Sequence, residues 1–321
     1  MQTPSGSVPA AFPQGYRIGH ATDRKSRTGC TVILPPPGTI AAVEIRGGAP
    51  GTRETGVFSP GNLVDEIHGL VFSGGSAFGL AAADGVAEWL AARNVGFAVG
   101  EHRVPIVAGA VLFDLAVGAP RRPDRRMGIA ACRAAREGAV PAGRVGAGAG
   151  ATVGKLFGVA RAAAGGVGAA ALRLPGGEIV AALAAVNAFG DVVDPATGRV
   201  LAGPAIRGRR STPTARALVE EDLSSSPHAG RATTLVCVAT TAPFEPGSLK
   251  RVAIEAHDGI ARAVRPAHTV VDGDAVFVMA PPGPPPSILL RLRVGAAAAE
   301  VVARAIVDAV RRRPERRRTG A

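Results

Sequence analysis

Short apolar runs alternate along this chain with Gly/Pro-rich polar loops and with stretches whose apolar residues recur every three or four positions. Thr31–Leu34 and Ile40–Ile45 read as strands, followed by a Gly/Pro/Thr loop over Arg46–Thr55. His68–Phe72 reads as a strand that passes through Ser73-Gly74-Gly75-Ser76 into a helix over roughly Ser76–Arg93. That helix is predicted to carry Phe78, Ala81, Ala82, Val86, Trp89 and Leu90 on one side. A second helix is predicted around Met127–Glu137, and two paired strands (Leu172, then Ile179 and Val180–Val186) about the turn Pro175-Gly176-Gly177. Gly203–Gly230 is polar, Pro-containing and non-periodic, and reads as a loop or processing site. The strand Ala232–Val238 follows, then a helix bearing Leu249, Val252, Ala253, Ala256 and Ile260, a strand at Ala275–Ala280, and an Ala/Val-rich helix to about Val310. The pattern is that of a mixed α/β chain without internal repeats, expected to form one domain over residues 1–321.

Composition narrows the functional classes. Of 321 residues 47% are apolar but only 4% aromatic, so the core must come from Ala, Val, Leu and Ile, and little is left for stacking on bases. The net charge of +12 is local: Arg121–Arg126, Arg207–Arg210 and Arg311–Arg318 carry +3, +3 and +5. Two of these segments are loops and the third opens an Arg-rich tail over 311–321, expected to be solvated and disordered. No nucleic-acid partner is therefore expected. No apolar run reaches membrane-spanning length and the first residues lack the basic and apolar parts of a secretory signal, so a cytoplasmic protein with no membrane partner is expected. Cys30, Cys132 and Cys237 stand far apart and read as small buried hydrophobes.

Four tempting motifs fail. Gly146–Ala151 approximates a dinucleotide fingerprint but has no leading strand and no acid about twenty residues on. Ala149–Lys155 imitates a phosphate loop with Ala for its first Gly and Leu156 where the magnesium-binding hydroxyl belongs. Gly74–Phe78 misses the esterase elbow because Phe78 replaces its second Gly. The six histidines form no metal-binding pair. No cofactor and no metal are expected.

The strongest chemical signal is the pair Thr233-Thr234 at the mouth of the apolar strand, behind the loose polar run Ser224–Gly230. A loop that feeds a hydroxyl residue into a buried strand is the layout of a self-cleaving precursor. Its freed N-terminal threonine supplies both a nucleophilic hydroxyl and an α-amine to take the proton. The same pair is also ordinary β-branched strand filling. Around it stand polar residues in apolar settings: Lys155, one of three lysines; Asn187, at a strand end; Asp272 and Asp274, bracketing a glycine. A nucleophile needs an orienting acid and an oxyanion donor, and these are suitable types. A surface lysine, a strand-end cap and an Asp-Gly-Asp turn are their structural alternatives.

In ordered blocks over nearly the whole chain, the sequence resembles the autoproteolytic L-aminopeptidase/D-amidase/esterases, β-peptidyl aminopeptidases and nylon-oligomer (6-aminohexanoate-oligomer) endohydrolases. The blocks are Leu70–Leu80 with Ala83–Val86, Gly150–Lys155, Val186–Val192, Ala232–Leu235 and Asp272–Asp274. The resemblance implies a four-layer αββα sandwich, similar to the N-terminal-nucleophile hydrolases but with its own connectivity. It implies autocleavage between Ala232 and Thr233, giving an α chain 1–232 and a β chain 233–321. Thr233 would be the nucleophile, Asp272 and Asp274 would orient it, Lys155 and Asn187 would line the site, and Asn187 would aid the oxyanion. Short peptides, amino-acid amides or 6-aminohexanoate oligomers would be the substrates, and a homotetramer of αβ units the assembly.

Two positions depart from the pattern. Phe113 stands where relatives often have a tyrosine, which keeps a ring for substrate binding without its hydroxyl. Ala232 replaces the asparagine that precedes the threonine in the nylon-oligomer hydrolases, while threonine with Asp-Gly-Asp leans toward that subtype. Two other functions stay open at this stage: a glutamate N-acetyltransferase-like acyl transferase, which also self-cleaves before threonine, and a non-enzymatic Arg-rich binding protein.

Overall fold

The computed structural model describes residues 11–59, 61–205, 212–223 and 232–311. The loop Ser224–Gly230, the arginine run 207–210 and the tail beyond Arg311 lie outside the described residues. Ten strands form two five-stranded sheets. In chain order they are β1 (Arg17–Asp23), β2 (Thr28–Leu34), β3 (Ile40–Ile45), β4 (Thr52–Arg53), β5 (Gly69–Ser73), β6 (Val107–Val111), β7 (Gly166–Arg173), β8 (Ile179–Asn187), β9 (Thr233–Thr240) and β10 (Ala275–Ala280). The first sheet runs β1-β2-β5-β6-β4 and the second β7-β8-β9-β10-β3. Within them only the β5–β6 and β9–β10 pairs are parallel.

The sheets stack face to face between two helical layers. Helices α1 (Ala81–Ala91) and α2 (Arg125–Ala134) cover the first sheet, and α4 (Pro246–Ala263) and α5 (Ile288–Arg311) the second; α3 (Thr214–Glu220) packs its Ala217 in a small apolar cluster with Ala232. Strand parity builds the layers. Along β8, Val180, Ala182, Ala184 and Val186 face α4 and α5, while Ala181, Leu183 and Ala185 face the other sheet. In β9, Val236 and Val238 take the helical side, and Leu235, Cys237 and Ala239 the middle. In the first sheet Val32 and Val71 point to α1 and α2, and Ile33, Leu70 and Phe72 to the middle. Both faces of every central strand are thus dry, which explains why these segments read as continuous apolar runs. With so few aromatic residues, Phe72 and Phe277 stand out: their rings meet across the inter-sheet layer at 6.0 Å, tilted by 50°. Small residues let helices approach closely; a methyl at Gly168 would sit 2.1 Å from the Ala305 carbonyl of α5.

The expected αββα sandwich is the observed architecture, with three local corrections. The segment Ser76–Leu80 is a 3₁₀ turn, not the first turn of α1, so Phe78 and Ala81 are exposed and Phe78 lies under the Arg122 guanidinium at 3.9 Å. The Met127–Glu137 helix starts earlier and ends sooner, because the Asp124 carboxylate caps the Met127 N–H and Arg136 turns away to pair with Ile18. The non-periodic Gly203–Gly230 stretch contains α3, anchored by Thr214, whose N–H and hydroxyl donate to the buried Asp191 carboxylate at 2.7 and 2.6 Å. Cys30, Cys132 and Cys237 are buried and unpaired. Among the described residues no helix is long and apolar enough to cross a membrane.

Candidate active site

Sheet topology assembles the site. Parallel strands β9 and β10 enter the sheet at one edge, and antiparallel β8 leaves it there. Asn187, the last residue of β8, pairs with Thr233, the first of β9, and Ala232 bridges to Asp272 in the loop before β10. Gly154 and Lys155 run alongside, their N–H groups donating to the carbonyls of Gly190 and Phe189 at 3.0 and 2.9 Å. Residues from four distant stretches, Lys155, Asn187, Thr233 and Asp272–Asp274, therefore share one edge.

At its centre is the peptide bond between Ala232 and Thr233. The Thr233 hydroxyl is buried and donates to the Ala232 carbonyl oxygen. The Gly273 N–H donates to the same oxygen at 3.0 Å. Gly273 has no room for a side chain: a β-carbon there would lie 2.9 Å from Thr233 Oγ1 and 2.7 Å from the Ala49 carbonyl oxygen. One carbonyl thus has a hydroxyl and a main-chain N–H aimed at it. The donor is a main-chain group that the sequence reading did not single out.

Both acids are about 1% exposed. Asp272 accepts the Phe189 N–H at 3.0 Å through Oδ1, and the Thr269 N–H and hydroxyl through Oδ2. Asp274 accepts the Thr234 N–H at 2.6 Å through Oδ1, which fixes the residue directly after Thr233. Its Oδ2 takes the N–H of His268 at 3.0 Å and that residue's ring Nδ1 at 2.8 Å. Burial, reinforced by Asp274, pushes the Asp272 carboxyl up to about 6, against its hydrogen bonds and Lys155.

Lys155 is buried, with Nζ donating to the Asn187 carbonyl at 2.5 Å. Burial drives its ammonium down to about 7, opposed by Asp272, Asp114 and Asp274. A lysine titrating near neutrality within reach of several acids can exchange a proton at working pH. The surface-lysine alternative is excluded. Asn187 is fully buried; its Oδ1 accepts the Thr152 N–H at 2.9 Å and its Nδ2 donates to the Phe113 carbonyl at 3.1 Å. It thereby clamps the Lys155 segment and the end of the first sheet onto β8. Phe113 enters the site through that carbonyl.

Asp114 is a buried acid that the sequence reading passed over. It accepts the Gly75 N–H at 2.7 Å, and burial raises its carboxyl while Lys155 works the other way. A lone acid inside the apolar run Ala110–Val117 was its signal. The methyl of Ala232 lies in an apolar pocket made by Leu156, Phe189, Ala217 of α3 and Val271.

Comparison with known proteins shows the family of the chain. The model of peptidase family S58 matches residues 14–315. An uncharacterized aminopeptidase of Mycobacterium bovis is 46% identical, over 92% of this chain and 91% of its own. A 6-aminohexanoate-oligomer endohydrolase of Kocuria is 33% identical, over 94% of this chain and 85% of its own. Among solved structures, the L-aminopeptidase D-Ala-esterase/amidase of Ochrobactrum anthropi, described as a variant of the Ntn hydrolase fold, superposes with a TM-score of 0.71. It is 17% identical, covering 96% of this chain and 88% of that one.

Proposed function

The chain belongs to peptidase family S58 and is a hydrolase of amide bonds, and from that premise we propose that it matures by cutting itself before Thr233. The observation that carries the reading is the Ala232 carbonyl, approached by the Thr233 hydroxyl and held by the Gly273 N–H. Family membership sets aside the acetyltransferase and the non-enzymatic binding protein.

In the first step the Thr233 oxygen attacks the Ala232 carbonyl carbon. Negative charge develops on the oxygen that Gly273 already contacts, so the donor is in place before the transition state. In the uncut chain the Thr233 nitrogen is an amide and cannot act as base. Neutral Lys155, whose ammonium burial holds down to about 7, takes the hydroxyl proton. The tetrahedral adduct collapses with cleavage of the C–N bond. The nitrogen leaves protonated as the new Thr233 amine, and Ala232 is left as an ester on Oγ1. Water hydrolyses that ester to the Ala232 carboxylate and regenerates the hydroxyl. In the second act the freed amine, with an ordinary pKa near 8, serves as base while the same hydroxyl attacks a substrate amide. An acyl-enzyme forms, the amine product departs, and water releases the acid.

Linear amides are its substrates on this reading: short peptides, amino-acid amides and, following the Kocuria relative, 6-aminohexanoate oligomers. The working form is a homotetramer of αβ units. Intact mass and N-terminal sequencing test the reading. The wild type should yield a chain beginning Thr233-Thr234-Leu235, and Thr233→Ala should remain a single chain of 32.2 kDa without amidase activity. A Thr233→Ala protein that is still cut at this bond would sink it.

A further inference from the structure

His268 stands outside the set of acid, lysine and nucleophile, yet it carries half of the Asp274 environment. Its backbone is in the left-handed region, with φ of 55°, a conformation uncommon for a side-chain-bearing residue. In that conformation its main-chain N–H and ring Nδ1 converge on the same oxygen, Asp274 Oδ2, at 3.0 and 2.8 Å. The other oxygen of that carboxylate holds the Thr234 N–H at 2.6 Å. A carboxylate accepts only, so Nδ1 carries the proton in this contact.

The other side of the His268 ring is built to keep it there. It meets the His257 ring in a T-shaped contact, with centroids 4.8 Å apart and planes at 72°. His257 is fully buried and donates from Nε2 to the Glu44 carbonyl at 3.0 Å. Burial drives the His257 imidazole down to about 4, so at neutral pH it is an uncharged wall. Behind it the Glu44 carboxylate is paired with Lys250 at 2.6 Å and Arg46 at 3.5 Å. Among the described residues His268 Nε2 has no hydrogen-bond partner, so the ring's orientation rests on Asp274 and on packing against His257.

We propose that His268 is a positioning residue for maturation and turnover: it fixes the rotation of the Asp274 carboxylate, which through Thr234 sets the Ala232–Thr233 peptide against the Gly273 N–H. The inference rests on Thr233 being the nucleophile, and the test separates the two. Two substitutions tolerate the left-handed backbone. His268→Gly keeps the main-chain N–H and removes the ring donor; His268→Asn restores a side-chain donor of similar reach. Processing is followed as loss of the uncut chain by intact mass, and amidase kcat and KM are measured on the matured proteins. Melting temperatures report folding.

With the carboxylate free to rotate, His268→Gly should slow processing by about 10-fold or more and lower kcat with little change in KM, since misplacement near reacting atoms is costly. His268→Asn should stay within about 3-fold of the wild type, because its amide can hold the same oxygen. Equal rates for the glycine and asparagine variants, at melting temperatures that differ, would show a structural role alone and overturn the proposal. A wild type that does not cut at Thr233 would instead overturn the underlying reading of the nucleophile.

Discussion

Gly273→Ala adds one methyl group beside the proposed oxyanion donor. The β-carbon would lie 2.9 Å from Thr233 Oγ1 and 2.7 Å from the Ala49 carbonyl oxygen, whereas ordinary contact begins near 3.4 Å. The Ala49 oxygen cannot swing aside, because it is main chain and its own N–H is tied to the Asp272 carbonyl at 2.8 Å. The relief must come from Gly273 or Thr233, by roughly half an ångström or more. Either movement spoils the bond from the Gly273 N–H to the Ala232 carbonyl or the approach of the hydroxyl. Losing one oxyanion donor costs about 10²–10³ in rate, and misplacement by about 1 Å costs ~10². We therefore expect processing to slow about 100-fold, or ~2.7 kcal/mol of activation free energy. The assay is a time course of intact mass on freshly purified precursor. Gly56→Ala, a site where an added methyl meets nothing within 4 Å, is the control. Wild-type kinetics in the Gly273 variant would refute the assignment of this N–H as the oxyanion donor.

Four further outcomes follow from the same structure. Because burial holds the Lys155 ammonium down to about 7, its neutral form grows as pH rises through that value; processing should accelerate there and level off above, and a rate flat from about pH 5.5 to 8.5 would remove Lys155 as the proton acceptor. The same depression means the unfolded chain binds the extra proton between about 7 and 10.5, so fold stability should rise with pH across that window, and Lys155→Met should flatten the rise in denaturant titrations. Ala232→Asp places a carboxylate among Leu156, Phe189, Ala217 and Val271, at a burial cost of several kcal/mol, and should leave mostly uncut chain on a gel, whereas Ala232→Ser should still process; equal processing would show that the pocket does not grip this residue. Asp191→Ala removes both bonds that hold Thr214 and should release α3 by about 2 kcal/mol, read as faster amide exchange over Thr214–Glu220; unchanged protection would mean that Ala217 packing alone holds the helix.

What the sequence could and could not reveal divides along a physical line. Thr233 was visible because burying a polar residue at the head of an apolar strand needs a reason, and Lys155, Asn187, Asp272 and Asp274 were visible on the same ground. Their convergence was not legible from residue pattern alone, since it depends on β9 running parallel to β10 and antiparallel to β8, and strand order leaves no local trace. Gly273 was hidden for a different reason: its contribution is a main-chain N–H together with the absence of a side chain, and neither alters hydrophobic pattern or charge. Phe78 was misplaced because a 3₁₀ turn advances about 120° per residue, so the helical phase read back from Val86 and Leu90 no longer applies at Ser76–Leu80. The seven-residue helix α3 escaped because it buries only Thr214 and Ala217, too few positions to establish a period. Its place in the fold comes from Asp191, an acid in a different stretch of chain, and from the pocket it completes around Ala232. The features read most reliably are thus those whose cost falls on their own residue. The Gly273 N–H, the α3 clamp and the His268 contact act through a partner's position, and they become visible only when both partners are placed.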